Sequence, residues 1–249
     1  MITCKNCNHQ FEGNFCPNCG QRTTVDKITW TNFIKEVTHS VFQIDRGFFH
    51  TMIALFTEPG ESIKGYLTGK RKYHFKPIAY VLTLSTIYFL ISRSLEQATF
   101  INDAVTGFAS GVSKTNRGAE HLPLLRWFAD NYAYTILLLL PFSTLASYLS
   151  FLKSGYNYLE HFVLNSYLTG QLAVFYIVFT LLSLIGIHED ILILAMTFIS
   201  VIYTFWVFWQ FFDGYSRLSI ILRFILTYLL YLFMLTAVLI VLFEFSDII

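Results

Sequence analysis

The sequence predicts an all-α membrane protein, with five transmembrane helices, a small N-terminal cytoplasmic Cys4 zinc ribbon and an amphipathic juxtamembrane segment. Three observations carry that expectation. Hydrophobic residues make up 55% of the 249 residues and charged residues only 13%, against about 25% charge in a typical soluble domain. Of 33 charged residues, 24 precede Tyr132 and only eight lie within 132–245, so the second half suits a lipid solvent. All four Cys fall within the first 19 residues. Low charge and high hydrophobicity exclude a disordered chain. Four Cys in a chain of this length exclude a disulfide-stapled scaffold. With 17 Lys and Arg against 16 Asp and Glu, the chain lacks the basic bias of a nucleic-acid binder.

Residues 1–22 form the ribbon. Cys4-Lys5-Asn6-Cys7 and Cys16-Pro17-Asn18-Cys19 are two tight turns, each placing two thiolates on one side. Facing each other, they supply a tetrahedron of soft ligands, the geometry of structural Zn2+. A thioredoxin-like redox pair would need a surrounding βαβ pattern, and the spacing differs from ferredoxin runs. Four thiolates close the coordination sphere, so Cys4, Cys7, Cys16 and Cys19 hold a structural ion. Asn8 and Gly20 suit the turns, His9 reads as a solvated turn residue, and residues 9–15 as a short hairpin whose Phe11 and Phe15 cover the metal. A module this small has no useful core of its own and depends on the ion.

Residues 23–76 are the juxtamembrane region. Trp30, Phe33, Ile34, Val37, Val41 and Ile44 recur at three- and four-residue spacing, one face of an amphipathic helix. Apolar content continues through Phe48, Met52 and Leu55 to a turn at Glu58-Pro59-Gly60. The expectation is a segment over 29–56 lying in the cytoplasmic interface or against the bundle. Lys64, Lys70, Arg71, Lys72 and Lys76 then form a basic cluster. It reads either as a topology determinant alone or as a site for an anionic lipid headgroup or phosphate, with Tyr66 and Tyr73 as interfacial anchors.

Residues 77–249 form the bundle, with spans expected at 77–93, 132–152, 162–187, 191–212 and 218–245. A hydrocarbon core about 30 Å thick needs roughly 20 apolar residues. His188-Glu189-Asp190 is so short that the helices it joins form an antiparallel hairpin. The loop between the first two spans has room for short helices and carries no catalytic pattern. Basic residues set the orientation. With a cytoplasmic N-terminus, 13 Lys and Arg fall inside and four outside, which satisfies the positive-inside bias and puts the C-terminus outside. The polar turn residues around Cys4 lead to the expectation of no signal peptide. A multi-pass protein of a bacterial inner membrane is expected.

Ionisable groups within a bilayer are costly and mark candidate sites. His161, Asn165 and Thr169 share a face of the third span, with Glu160 beside them. That face reads as a titratable or cation-holding site, or as capping and interhelical glue. Asp213 and Arg217, four apart, read as a loop ion pair, and Arg223 as a side chain that snorkels to the cytoplasmic surface.

The opening Cys pair, then Phe15-Cys16-Pro17-Asn18-Cys19-Gly20-Gln21, resembles the short zinc ribbon found at the N-terminus of many bacterial membrane proteins. Thr51, Pro59-Gly60, Ile63, Tyr66-Leu67, Gly69-Lys70-Arg71, Tyr73 and Pro77, together with Tyr158-Leu159-Glu160-His161, resemble an uncharacterised zinc-ribbon membrane-protein family common in Bacteroidota. The resemblance covers nearly the whole chain and implies no activity. Where that family places further His, this chain reads Asn165-Ser166-Tyr167.

The sequence contains no Ser/His/Asp order, phosphate loop, dinucleotide fingerprint or zincin motif, so no enzyme class is indicated. The first functional expectation is an adaptor or assembly component whose ribbon docks a cytosolic protein. The second is a transporter, channel or lipid-handling protein using the polar face of the third span, and an intramembrane enzyme ranks third. The lipid bilayer, anionic lipids among its components, is the expected surrounding partner. Nucleic acid is not, and the oligomeric state is left open.

Overall fold

The computed structural model describes residues 1–24, 46–112 and 123–246. The Trp30 to Ile44 periodicity therefore lies outside the described residues. The first described element follows from the knuckle spacing. β1 (Ile2–Thr3) pairs antiparallel with β2 (Gln10–Phe11) across the first Cys pair, in the register Ile2 to Phe11 and Thr3 to Gln10.

α1 (Arg46–Thr57) is succeeded after one residue by α2 (Pro59–Thr68). The Glu58-Pro59-Gly60 turn is thus a joint between two helices rather than the end of the apolar segment. Proline has no N–H and clashes with the carbonyl four residues earlier, but suits the first turn of a new helix. That abandoned carbonyl, on Leu55, accepts the Tyr203 hydroxyl at 3.0 Å. α2 stops at Gly69, whose φ of 112° suits glycine alone, and the amides of Gly69 and Lys70 return to the Gly65 carbonyl at 3.1 and 2.8 Å. Both helices pack against the bundle. Leu55, Ile63 and Tyr66 are buried, and Thr51 is fully buried, accepting the Phe75 amide at 2.7 Å.

The bundle consists of α3 (Pro77–Ser94), α6 (Tyr132–Ser150), α7 (Tyr158–Leu182), α8 (Glu189–Phe211) and α9 (Arg217–Ser246). Two short helices, α4 (Phe100–Val112) and α5 (Pro123–Asp130), occupy the connection between α3 and α6. α7 is the hub, touched by α3, α6, α8 and the α1–α2 pair. A 3-10 turn (Ser183–Ile185) and Gly186, with φ 81°, close the hairpin between α7 and α8.

Among the described residues, four stretches are long and apolar enough to cross a membrane: Tyr132–Ser150, Tyr158–Ile185, Ile191–Phe211 and Arg217–Val241. α3, expected as the first span, has 18 residues but falls outside that set. Thr83, Ser85 and Ser92 dilute its apolar content, and all three are buried against protein. α3 runs in step with α7. Tyr167 donates to the Phe75 carbonyl at 2.6 Å, Tyr80 donates to Gln171, the Tyr88 and Tyr176 rings lie 5.6 Å apart, and Gln97 donates to Ser183. Their close approach depends on Gly170, where a Cβ would fall 2.5 Å from the Tyr80 ring.

Asp213 and Arg217 do not pair. Asp213 accepts from Lys64 of α2 at 2.8 Å, and the Arg217 guanidinium sits 4.2 Å over Trp209. Only Arg217 belongs to a helix, so the four-residue proximity of helical neighbours does not apply. Arg223 turns back over Tyr215 at 4.7 Å and donates to the Ser150 carbonyl, joining α9 to the end of α6.

Candidate metal centre and intramembrane cavity

Each Cys pair is folded by the same backbone device. The Asn8 amide returns to the Cys4 carbonyl at 2.9 Å and the Gly20 amide to the Cys16 carbonyl at 2.8 Å. Asn8 and Gly20 both take the left-handed conformation, with φ of 58° and 71°, which Asn and Gly tolerate best. The four sulfurs lie within 4.8 Å of one another, with Cys4 to Cys19 at 3.6 Å and Cys7 to Cys16 at 3.5 Å. A tetrahedral ion with bonds of about 2.3 Å places its sulfurs about 3.8 Å apart. The four could therefore hold a metal ion. The His9 backbone amide pulls the Cys7 thiol down to about 6, and burial pushes Cys19 up to about 12. Bound metal displaces such protons, so affinity falls with pH.

Phe11 packs with Cys4 and Cys16 in the module's small core. Phe15 does not cover the centre. Its backbone bridges to Arg22, and the ring is 58% exposed with the Arg22 guanidinium 5.8 Å away. The hairpin spans the first knuckle, so Phe15 falls beyond it, on the solvent side. His9 is exposed.

The ribbon is fastened to the turn that precedes α3. Gln21, 5% exposed, donates through Nε2 to the Gly69 carbonyl at 3.0 Å. Its Oε1 accepts from the Arg71 and Lys72 amides at 3.1 and 3.2 Å. Three hydrogen bonds of this one side chain are thus directed at the basic turn. Lys70 and Lys72 are exposed there, Arg71 lies 5.1 Å over Tyr66, and Lys76 stands at the N-terminus of α3. Lys64 differs from these. It is 16% exposed and bridges Glu61 at 3.0 Å and Asp213, so its charge is committed within the fold. Behind the turn, His74 contacts Ser62 at 3.0 Å, and burial, reinforced by His50, brings its pKa down to about 4.

The polar face of α7 divides in two. Glu160 closes a capping box with Asn157, accepting the Asn157 amide at 2.8 Å while Asn157 accepts the Glu160 amide at 3.0 Å. It is occupied at the helix start and makes no bond to His161. His161 is fully buried, with Nδ1 3.1 Å from Ser147 Oγ. Asn165 donates to the same Oγ at 2.8 Å. One turn further, Thr169 and Asn165 border a cavity of about 250 Å³ among α6, α7, α8 and α9. Leu139, Leu168, Leu172 and Met196 form its apolar wall, and none of its lining residues is charged.

The contacts of Gln21 with the basic turn and of Asp213 with Lys64, and the α8 side of the cavity, have no motif to announce them. One available signal is the repetition of small hydroxyl residues at Thr197, Ser200 and Thr204, three and four residues apart on a largely apolar helix. The stretch from Thr51 to Pro77, part of what carries the family resemblance, contains the two joints that link α1, α2 and α3. Thr51 holds Phe75, Pro59 starts α2, Gly69 ends it, and Pro77 starts α3. Gly60 lies where a Cβ would stand 2.3 Å from Gln210 Cβ.

Across residues 45–89 the chain matches a family model described as "Protein of unknown function (DUF3667)". This stretch runs from the start of α1 into α3. No curated protein shows significant similarity to the chain, and no solved structure does.

Proposed function

We propose that this membrane protein holds a small uncharged molecule within its bundle, and that a zinc ribbon locks the turn leading into it. The cavity carries this reading. It is half open between four apolar helices, walled by leucines and methionine, and fitted with hydroxyls and one amide but no charge. At about 250 Å³ it exceeds the about 150 Å³ that admits benzene and falls below the about 300 Å³ at which drug-sized sites begin. It suits one medium-length chain. Thermal unfolding of the purified protein with increasing 1-decanol tests this. The midpoint rises with concentration, as a ligand selective for the folded state requires, and fails to rise in a cavity-filling Ser143→Phe variant. An equal response in both, or none in the wild type, would contradict the reading.

The topology proposed with it has five spans. At about 1.5 Å per residue, the 18 residues of α3 reach about 27 Å, close to the core thickness. Its in-step contacts with α7, from Phe75 to Gln97, support a helix that travels with a spanning one. With 13 basic residues inside, the ribbon is cytoplasmic and the C-terminus outside, in a bacterial inner membrane. Reporter fusions at residues 24 and 246 falling on the same side would overturn five spans.

Tetrathiolate ligation favours zinc in the ribbon. One observation favours a second reading, that the ribbon also docks a cytosolic protein: Ile2 and Phe15 are exposed by 43% and 58% on this small module. Loss of a partner in the full-length Phe15→Ser variant with zinc content unchanged supports that reading. Unchanged partners in this variant and in one lacking residues 1–21 would contradict it.

A further inference from the structure

Asn165 is 4% exposed, and the chemistry around it sets which way its amide points. One hydrogen of its Nδ2 goes to Ser147 Oγ and the other to the His161 carbonyl, each at 2.8 Å. A carbonyl only accepts, so nitrogen must occupy that side. Both donors are then used, and among the described residues Oδ1 receives no hydrogen bond. Asn165 borders the cavity, and Oδ1 is the atom its amide has left for an occupant.

Two of the lining hydroxyls lean the same way. Ser143 gives its proton to the Leu140 carbonyl at 3.0 Å and Thr227 to the Arg223 carbonyl at 2.8 Å. These oxygens therefore meet the cavity as acceptors, beside the tyrosine hydroxyls that also line it. An occupant bearing only acceptors, such as an ester or ketone, leaves Asn165 Oδ1 unanswered, while one bringing an O–H satisfies it. A charged head has no counter-ion on the lining and is costly at this depth.

We propose that the cavity selects an uncharged single-chain alcohol, its hydroxyl donating to Asn165 Oδ1 and its chain lying along Leu168, Leu172 and Met196. This rests on the cavity being a ligand site, and names the class of molecule that site takes. Asn165 is the selecting group, and Ser147 and the His161 carbonyl hold it in place.

Two photoreactive probes test this on the full-length protein in membranes: a ten-carbon alkyl diazirine ending in a hydroxyl, and its methyl ether, which keeps the oxygen but has no donor. Cross-linked residues are mapped by peptide mass spectrometry. The alcohol is expected to label cavity residues such as Leu168 and Met196 about threefold to tenfold more than the ether, the range one net hydrogen bond supplies. Excess 1-decanol abolishes that labelling, and Asn165→Leu brings the ratio to about one. The wild-type ratio stands without the variant, should the variant fail to fold. Equal labelling of the cavity by both probes would overturn the hydroxyl assignment and leave the ligand site standing. Labelling confined to lipid-facing residues with both probes would overturn the ligand site itself, and this proposal with it.

Discussion

Gln21 of the ribbon and Gly69 of the membrane-proximal turn are joined by a buried hydrogen bond of 3.0 Å, although 48 residues separate them. The same side chain accepts the Arg71 and Lys72 amides, so the order of the basic turn depends on the ribbon. A ribbon of this size depends in turn on its metal. Chelation, or Cys16→Ser, is expected to abolish metal binding and to raise hydrogen exchange at Arg71 and Lys72. Gln21→Ala separates the two effects, with metal binding retained and exchange at these amides raised. Unchanged exchange in all three would mean that the turn holds itself.

Gly60 is a point of closest approach between α2 and α8, because a Cβ there would meet the backbone of Gln210 and Phe211 at 2.7 Å. Backbone cannot swing aside as a flexible side chain can. Gly60→Ala is expected to destabilise by about 1–3 kcal/mol, the usual cost of overpacking. Gly65→Ala, whose nearest neighbour is the Lys70 side chain at 3.7 Å, is expected to be neutral or slightly stabilising. Thermal unfolding in detergent compares them. Equal effects would contradict the assigned contact.

The Lys64–Asp213 bridge has a defined pH range. The hydrogen bond from Lys64 holds the Asp213 carboxyl below its ordinary value. Burial works against the Lys64 charge, but Asp213 and Glu61 outweigh it and hold the amine above its ordinary value. The aspartate contribution is therefore present above the ordinary carboxylate pKa and lost as pH falls through the lowered one. The lysine contribution is present below the ordinary amine pKa and lost as pH rises through the raised one. Asp213 is 71% exposed, so solvent screens the bridge to about 0.2–1 kcal/mol. The stability difference between wild type and Asp213→Asn is expected to be flat from about pH 5 to 10, and to shrink in high salt.

His74 gives an acid sensitivity of the same sign as that of Asp213, in a higher pH range. Burial lowers its folded pKa to about 4, so below the ordinary value of about 6.5 the unfolded chain binds the extra proton and stability falls with pH. The loss is expected between about pH 6.5 and 4. His74→Phe should flatten that part of the unfolding profile. An unchanged slope would place the acid sensitivity elsewhere.

The features legible in the sequence share a local cause. The knuckles are set by residue spacing, and Asn8 and Gly20 adopt the left-handed turns their side chains allow. The helices follow from apolar length, bounded by Pro77, Asn157 and Gly186. Cys proximity was visible for the same reason. The features that were not legible depend on distant partners. Asp213 looks suited to Arg217 in one dimension and meets Lys64 in three. Glu160 and His161 are neighbours in sequence, yet one caps a helix while the other is buried against α6. α3 falls short of the apolar content of the other spans partly because Thr83, Ser85 and Ser92 face protein, which no periodicity of its own reveals.

Native mass spectrometry of the protein released directly from membranes tests the central claim most directly. The account predicts a bound species of a few hundred daltons or less, uncharged and hydroxyl-bearing, present in the wild type and absent from Ser143→Phe. A wild-type protein that carries no such mass, or a variant with a filled cavity that retains it, would contradict the account.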